Sequence, residues 1–305
     1  MTAEPSVLGR EHWTTKGSVR LFLWEKPAVG SAEPRGTILF VHGSSMGSQP
    51  TFDLQVPGRP DSSAMDHFAR LGYDTWCVDM EGYGRSDKHR DINSDIATGA
   101  DDLAVATDYI ARTRGVSAYL TYGISSGALR AALFAQRHPE RVRRLALDAF
   151  VWTGEGSPTL ADRRKRLPEF RAKNRRPIDR AFVRSIFTRD HPGTAEDEVI
   201  EAFATAILAL DDSVPTGTYV DMCSNLPVCD PEKITVPTII MRGQWDGIAS
   251  FTDLTKFFEK LPNPDKQFAV MPGIAHASIQ QKNYAIVYHI LLSWFTQPDP
   301  VYTAH

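Results

Sequence analysis

The chain has 305 residues, enough to bury a full core as one large domain or two small ones. Its 34 basic and 37 acidic side chains leave a formal charge of −3, which argues against general nucleic-acid binding. Apolar residues make up 42% and charged ones 23%, the balance of a globular protein, and no apolar run reaches the roughly eighteen residues that would span a bilayer. The opening stretch MTAEPSVLGREHWTTKG lacks the basic-then-apolar pattern of a signal peptide. Three cysteines, Cys77, Cys223 and Cys229, form no metal-ligand spacing. An odd number of cysteines predicts free thiols in a reduced, cytoplasmic protein, with a Cys223–Cys229 bridge as the alternative.

Short β-branched or aromatic runs alternate along the chain with segments of helical period. HWTTKGSVRLFLWEK reads as a hairpin at a sheet edge, with Gly17 in its turn. GTILFVHG (36–43) is a buried strand, and SSAMDHFARLG (62–72) is a helix stopped by Gly72. YDTWCVDM (73–80) is the next strand, followed by a helix that begins near Ser94 or Asp95. SAYLTYG (117–123) is a third strand and leads into the helix SGALRAALFAQRH, which Pro139 ends by disfavouring helical geometry at His138. RRLALDAF (143–150) is a fourth strand. From Val151 to about Lys233 no buried strand is legible, only polar and helical stretches. The alternation resumes with VPTIIMRG (236–243), the helix FTDLTKFFEKL (251–261), the strand KQFAVMPG (266–273) and a closing helix around NYAIVYHILLSWF. Such alternation implies an α/β fold with a mainly parallel sheet covered on both faces. The interruption of about eighty residues is too long for a loop and predicts an inserted helical cap. The expected organisation is a core of residues 1–151 and 234–305 and a cap of residues 152–233.

The decapeptide TYGISSGALR holds two adjacent serines between glycines at a strand–turn–helix junction. That setting gives a G-x-S-x-G pattern its meaning, because the turn lifts the first serine clear of the sheet. Ser125 is thus the candidate nucleophile, and Ser126 supplies a backbone N–H at a helix N-terminus, suited to a developing oxyanion. A serine hydroxyl needs a base, and the base needs an orienting carboxylate. Asp246 follows the strand TIIMRG and His276 follows the strand FAVMPG, so all three side chains sit past the C-terminal ends of strands expected to be parallel. His289, inside an apolar helix, and His305, at the tail, read as packing or surface residues.

Together VHGSS, DMEGYGRSD, GISSG, RGQWDG and PGIAH resemble, in order and spacing, the α/β-hydrolase family of serine esterases. The resemblance covers nearly the whole chain and implies an eight-stranded sheet. It implies a second oxyanion donor after His42-Gly43, the N–H of Ser44 or, failing that, of Ser45, with His42 structural. It implies Asp246 as the triad acid and leaves Asp148, at the end of RRLALD, as the rival. A serine at the elbow departs from the haloalkane dehalogenases and epoxide hydrolases of the same fold, which need a carboxylate nucleophile. The implied chemistry is acyl transfer without metal or organic cofactor.

Residues 161–184 carry ten Arg or Lys against three acidic side chains. This stretch is either a solvated helix face or a source of arginines, Arg163 and Arg164 foremost, for a substrate carboxylate. The pattern resembles monoalkyl phthalate ester hydrolases and meta-cleavage product hydrolases, both of which act on anionic aromatic molecules. Ser45, Phe52 and Ile124 are further candidates to line the substrate pocket, and DEVIEAFATAILAL (197–210) is expected to pack over the site. The expected partner is therefore a small-molecule ester, with no nucleic acid or membrane and with a homodimer open. A C–C bond hydrolase and a ligand-sensing module that keeps its triad stand as alternatives to the esterase.

Overall fold

The computed structural model describes residues 7–30 and 34–302. Strands β1 (Arg10–Lys16) and β2 (Val19–Lys26) form the edge hairpin, paired from Arg10 opposite Glu25 to Lys16 opposite Val19. Gly17 turns between them at φ +62°. The core continues through β3 (Thr37–Val41), α1 (Ser48–Phe52), α2 (Ala64–Arg70), β4 (Asp74–Val78), α3 (Ile96–Arg114), β5 (Tyr119–Ile124), α4 (Ser126–Arg137) and β6 (Val142–Asp148). An insertion then carries α5 (Pro158–Arg164), α6 (Leu167–Ala172), β7 (Arg175–Pro177), α7 (Arg180–Thr188), α8 (Asp197–Leu208), β8 (Ser213–Pro215) and α9 (Gly217–Ser224). The chain closes with β9 (Thr238–Gly243), α10 (Phe251–Lys260), β10 (Lys266–Met271) and α11 (Tyr284–Thr296).

Eight strands form one sheet in the order β1-β2-β4-β3-β5-β6-β9-β10, and all neighbours from β4 to β10 run parallel. Only the β1–β2 and β2–β4 pairings are antiparallel. The chain thus has the α/β-hydrolase fold. Side chains alternate across a strand, and β3 shows what that does to the core. Leu39 and Val41 join the apolar cluster that contains α3, α4 and much of the insertion, whereas Ile38 and Phe40 join the cluster under α2 and α11. Both faces are covered, so every residue of β3 and β4 is buried.

The helix ends follow side-chain chemistry. Ser63 accepts the Asp66 amide to start α2, and Gly72 turns the chain afterwards at φ +88°. Asp95 accepts the Thr98 amide to start α3, and Gly115 closes it in the left-handed conformation. All three cysteines are buried free thiols, which removes the Cys223–Cys229 bridge.

The interruption expected to be purely helical contains strand as well. β7 and β8 pair antiparallel as a three-residue ribbon, with Arg176 opposite Val214. At three residues each, and each ending in proline, both strands are too short to show a period of two in the sequence.

Candidate active site

The chain between β5 and α4 must reverse within a few residues, and the two flanking glycines make room for that. A Cβ on Gly127 would lie 2.1 Å from the Val41 carbonyl oxygen, and one on Gly123 would lie 2.5 Å from that of Gly127. No larger residue fits either position. Ser125, at the bend, sits at φ +59° and ψ −128°, a strained conformation for a non-glycine residue. Its N–H donates to the Asp148 carbonyl at 2.9 Å and its own carbonyl accepts the Ala128 amide at 2.9 Å, so both neighbours pin the strained residue.

The Ser125 hydroxyl lies 2.9 Å from Nε2 of His276, and Nδ1 of His276 lies 3.0 Å from Oδ1 of Asp246. A carboxylate can only accept, so Nδ1 carries the proton and Nε2 is left as the acceptor for the serine hydroxyl. Asp246 also accepts the Ile248 amide at 3.0 Å. Burial pushes its carboxyl pKa up, but the His276 charge and hydrogen bond and the Ile248 amide outweigh burial, and the net shift is downward. The acid is therefore held ionised. An alcohol, an imidazole and a fixed carboxylate in this sequence can pass a proton away from oxygen.

Asp148 is occupied elsewhere. It accepts from the Tyr122 hydroxyl at 2.6 Å and from the Ser278 hydroxyl. Full burial raises its pKa to about 7 in spite of those two bonds. His42 is likewise structural in its contacts, with Nδ1 donating to the Gly43 carbonyl at 2.8 Å and Nε2 accepting the Met80 amide at 3.0 Å. Burial, and next the Arg130 charge, depress its pKa to about 3, so its ring is neutral. Ligand atoms of Asp190, Asp246 and His276 lie within 4.8 Å of one another. His276, however, uses both ring nitrogens on Ser125 and Asp246, which leaves no nitrogen lone pair for a cation.

Ser125 and His276 border a small cavity of about 30 Å³. Core residues Gly43, Ser44, Ser45, Thr51 and Ile124 line its floor, and Arg163, Ile186, Arg189, Phe203 and Tyr219 line the insertion side. Among the described residues no acceptor takes the amide N–H of Ser44 or of Ser126. The two side chains are tied together, Ser44 Oγ to Ser126 Oγ at 2.7 Å, and Thr218 in α9 donates to Ser44 Oγ at 2.8 Å.

The model of the family described as serine aminopeptidase, S33 (Hydrolase_4) matches residues 32–283, most of the chain. The protein belongs to this family of α/β hydrolases. Among solved structures it is similar to a soluble variant of the monoglyceride lipase from Saccharomyces cerevisiae, with a TM-score of 0.71, 18% identity and 97% of each chain covered. A thermophilic esterase from Thermogutta terrifontis aligns with a TM-score of 0.67 and 20% identity over 93% of this chain and 97% of its own. E-2-(acetamidomethylene)succinate hydrolase aligns with a TM-score of 0.67 and 19% identity over 95% of this chain and 100% of its own. At these identities the likeness is one of fold. A comparison with curated protein sequences gave no match. No helix among the described residues is long and apolar enough to cross a membrane.

In this hydrolase the structure brings together Ser125, His276 and Asp246, and it sets Ser45, Ile124 and Arg163 on the cavity wall. Two sequence expectations fail. Arg164 is exposed and turns away, with Nε on the Cys223 carbonyl at 3.2 Å, because successive residues of α5 point about 100° apart. Phe52 is core: its ring packs 5.0 Å from Phe40 and 6.2 Å from Tyr122, and its neighbour Thr51 meets the cavity instead. Arg176, Arg189 and Tyr219 border or approach the site and were not singled out. For the two arginines the basic run and its flank were the available signal. For Tyr219 there was none.

Proposed function

We propose that the protein is a serine carboxylester hydrolase that works through an acyl-enzyme. The observation that carries this reading is the unbroken hydrogen-bonded chain from Ser125 through His276 to Asp246. Ser125 Oγ attacks the ester carbonyl while His276 Nε2 takes its proton. Asp246 holds the tautomer and stabilises the imidazolium that forms. The carbonyl oxygen, now negative, is received by the amides of Ser44 and Ser126, the latter at the start of α4 where the helix dipole adds to the stabilisation. His276 returns the proton to the departing alcohol. Water then repeats the sequence to free the acid and the serine.

The insertion acts as a cap over residues 152–233, closing the cavity from above through Ile186, Arg189, Phe203 and Tyr219. Arg163 on the wall supports an acyl part that bears its own carboxylate, and among such half-esters a monoalkyl phthalate is the substrate the basic stretch favours. With p-nitrophenyl butyrate the wild-type chain should give a burst of nitrophenol equal to the enzyme present, and Ser125→Ala should abolish it. Equal release by both would remove Ser125 from the reaction.

A further inference from the structure

The wall between the Ser125 cavity and the outside is made of charged groups. A second, open cavity of about 570 Å³ lies beyond it, and Arg163, Arg189 and Tyr219 line both. Tyr219, in α9, is the centre of the wall. The guanidinium of Arg163, from α5, stands 4.4 Å from the centre of its ring, and that of Arg176, from β7, stands 4.0 Å away. Arg176 also donates to Ser45 Oγ. Arg189, at the end of α7, is paired with Asp190 at 3.4 Å. Phe170 of α6 closes another side, its ring 5.2 Å from that of Tyr219.

No carboxylate among the described residues balances the charges of Arg163 and Arg176. Among the described residues neither Arg163 nor Arg176 has a carboxylate within 4.0 Å, and Nη1 of Arg163 and Nε of Arg176 are buried without a hydrogen-bond acceptor. A guanidinium taken out of water without an anion is costly. An arginine pair in that state beside a hydrolase cavity marks a place for a ligand's negative charge.

We propose that Arg163 and Arg176, clamped on Tyr219 between the outer cavity and Ser125, form the subsite that receives a substrate carboxylate. The proposal rests on the ester-hydrolase reading and deepens it by assigning the residues that choose the substrate. Burial drives the Tyr219 pKa up, but Arg163, Arg176 and Arg189 and a hydrogen bond from Ser45 more than reverse this and bring it down to about 7. The other titratable groups around it are Cys223 on the same helix, whose thiol burial raises, His276 across the inner cavity, and Asp162 and Asp190 on the wall of the outer one. Above that pH the phenolate occupies the charge the substrate needs, so binding the carboxylate requires Tyr219 to take up a proton. Below it the phenol is neutral and no proton is exchanged.

The test uses the full-length Ser125→Ala chain, which binds without turnover, titrated with monomethyl phthalate and with monomethyl succinate. At least one half-ester should bind about tenfold or more tightly than its neutral dimethyl ester, and that margin should vanish in Arg163→Gln and in Arg176→Gln. Half-ester binding should quench the tyrosinate ultraviolet band, and its Kd should rise about tenfold per pH unit above pH 7. In Ser125→Ala/Tyr219→Phe that slope should be flat, a readout that survives even if an arginine variant folds poorly. Equal affinity for half-esters and diesters would overturn the proposal, as would a pH-independent Kd with Tyr219 present. Displacement of the tyrosinate band by inorganic phosphate at the same concentration would make this a free-anion site and also overturn it. Hydrolysis of p-nitrophenyl butyrate by the wild-type chain reads the ester-hydrolase proposal separately.

Discussion

Two buried aspartates lie near His276, and hydrogen bonds separate their roles. Asp246 faces Nδ1 of the imidazole and is held ionised, whereas Asp148 faces two hydroxyls and has its pKa raised to about 7. Changing Asp246 to Asn should reduce kcat by about 10⁴-fold, since an amide can stabilise the wrong tautomer and cannot neutralise the imidazolium. Asp148→Asn should keep kcat within about tenfold. It should also flatten the pH dependence of stability. With a folded pKa above the unfolded one, Asp148 contributes stability that is fully present below about pH 4 and is lost as pH rises through about 7, at up to ~1.4 kcal/mol per unit. Thermal melts from pH 4 to pH 8 check this. At this scale the places of Ser125, Asp246 and His276 just past strand ends were legible, because each follows a strand whose residues announce it. The arginine–tyrosine wall was not. Arg163, Arg176 and Tyr219 lie on three separate elements of the insertion, and no spacing in the sequence reports that they meet.

At the scale of elements, the sheet and its helices were readable because burial on both faces makes the central strands, β3 and β5 foremost, nearly continuous apolar runs. The insertion was readable only as a break in that pattern, and its β7–β8 ribbon not at all. Besides the apolar cluster it shares with the core, polar contacts fix the insertion in place. The Asp253 carboxylate in α10 accepts the Trp152 amide at 3.0 Å, the Thr153 amide at 3.0 Å, the Gly154 amide at 3.3 Å and the Thr153 hydroxyl. Gly247, next to Asp246, accepts the Thr159 amide at 3.3 Å and the Ser157 hydroxyl at 3.2 Å. His191 stacks on Trp245 at 4.5 Å with 13° between the rings. The same contacts that seat the insertion therefore also seat the loop of Asp246. Asp253→Ala leaves three amides of the segment entering the insertion without their acceptor and should cost about 3 kcal/mol or more in urea unfolding. Because the insertion loosens while the Ser125–His276 pair is untouched, KM for p-nitrophenyl butyrate should rise more than kcat falls.

For the molecule as a whole, one cavity joins two independent parts of the fold. The sheet contributes Ser125 and His276 from the C-terminal ends of parallel strands, where this architecture leaves a crevice. The insertion contributes the ceiling and the charge. At about 30 Å³ the cavity has room for about two waters, so the insertion side must give way for an ester to fit. Burial of His276 and Asp246 strengthens the charge interaction between them. Reactivity at Ser125, with its neighbour Ser126 inert, is the central claim. The most direct measurement is labelling of the intact protein with a fluorophosphonate, followed by peptide mass spectrometry. One phosphonyl group per chain should appear, on Ser125, and none in His276→Ala. A label on Ser126 or on any other residue, or full labelling without His276, would contradict the account.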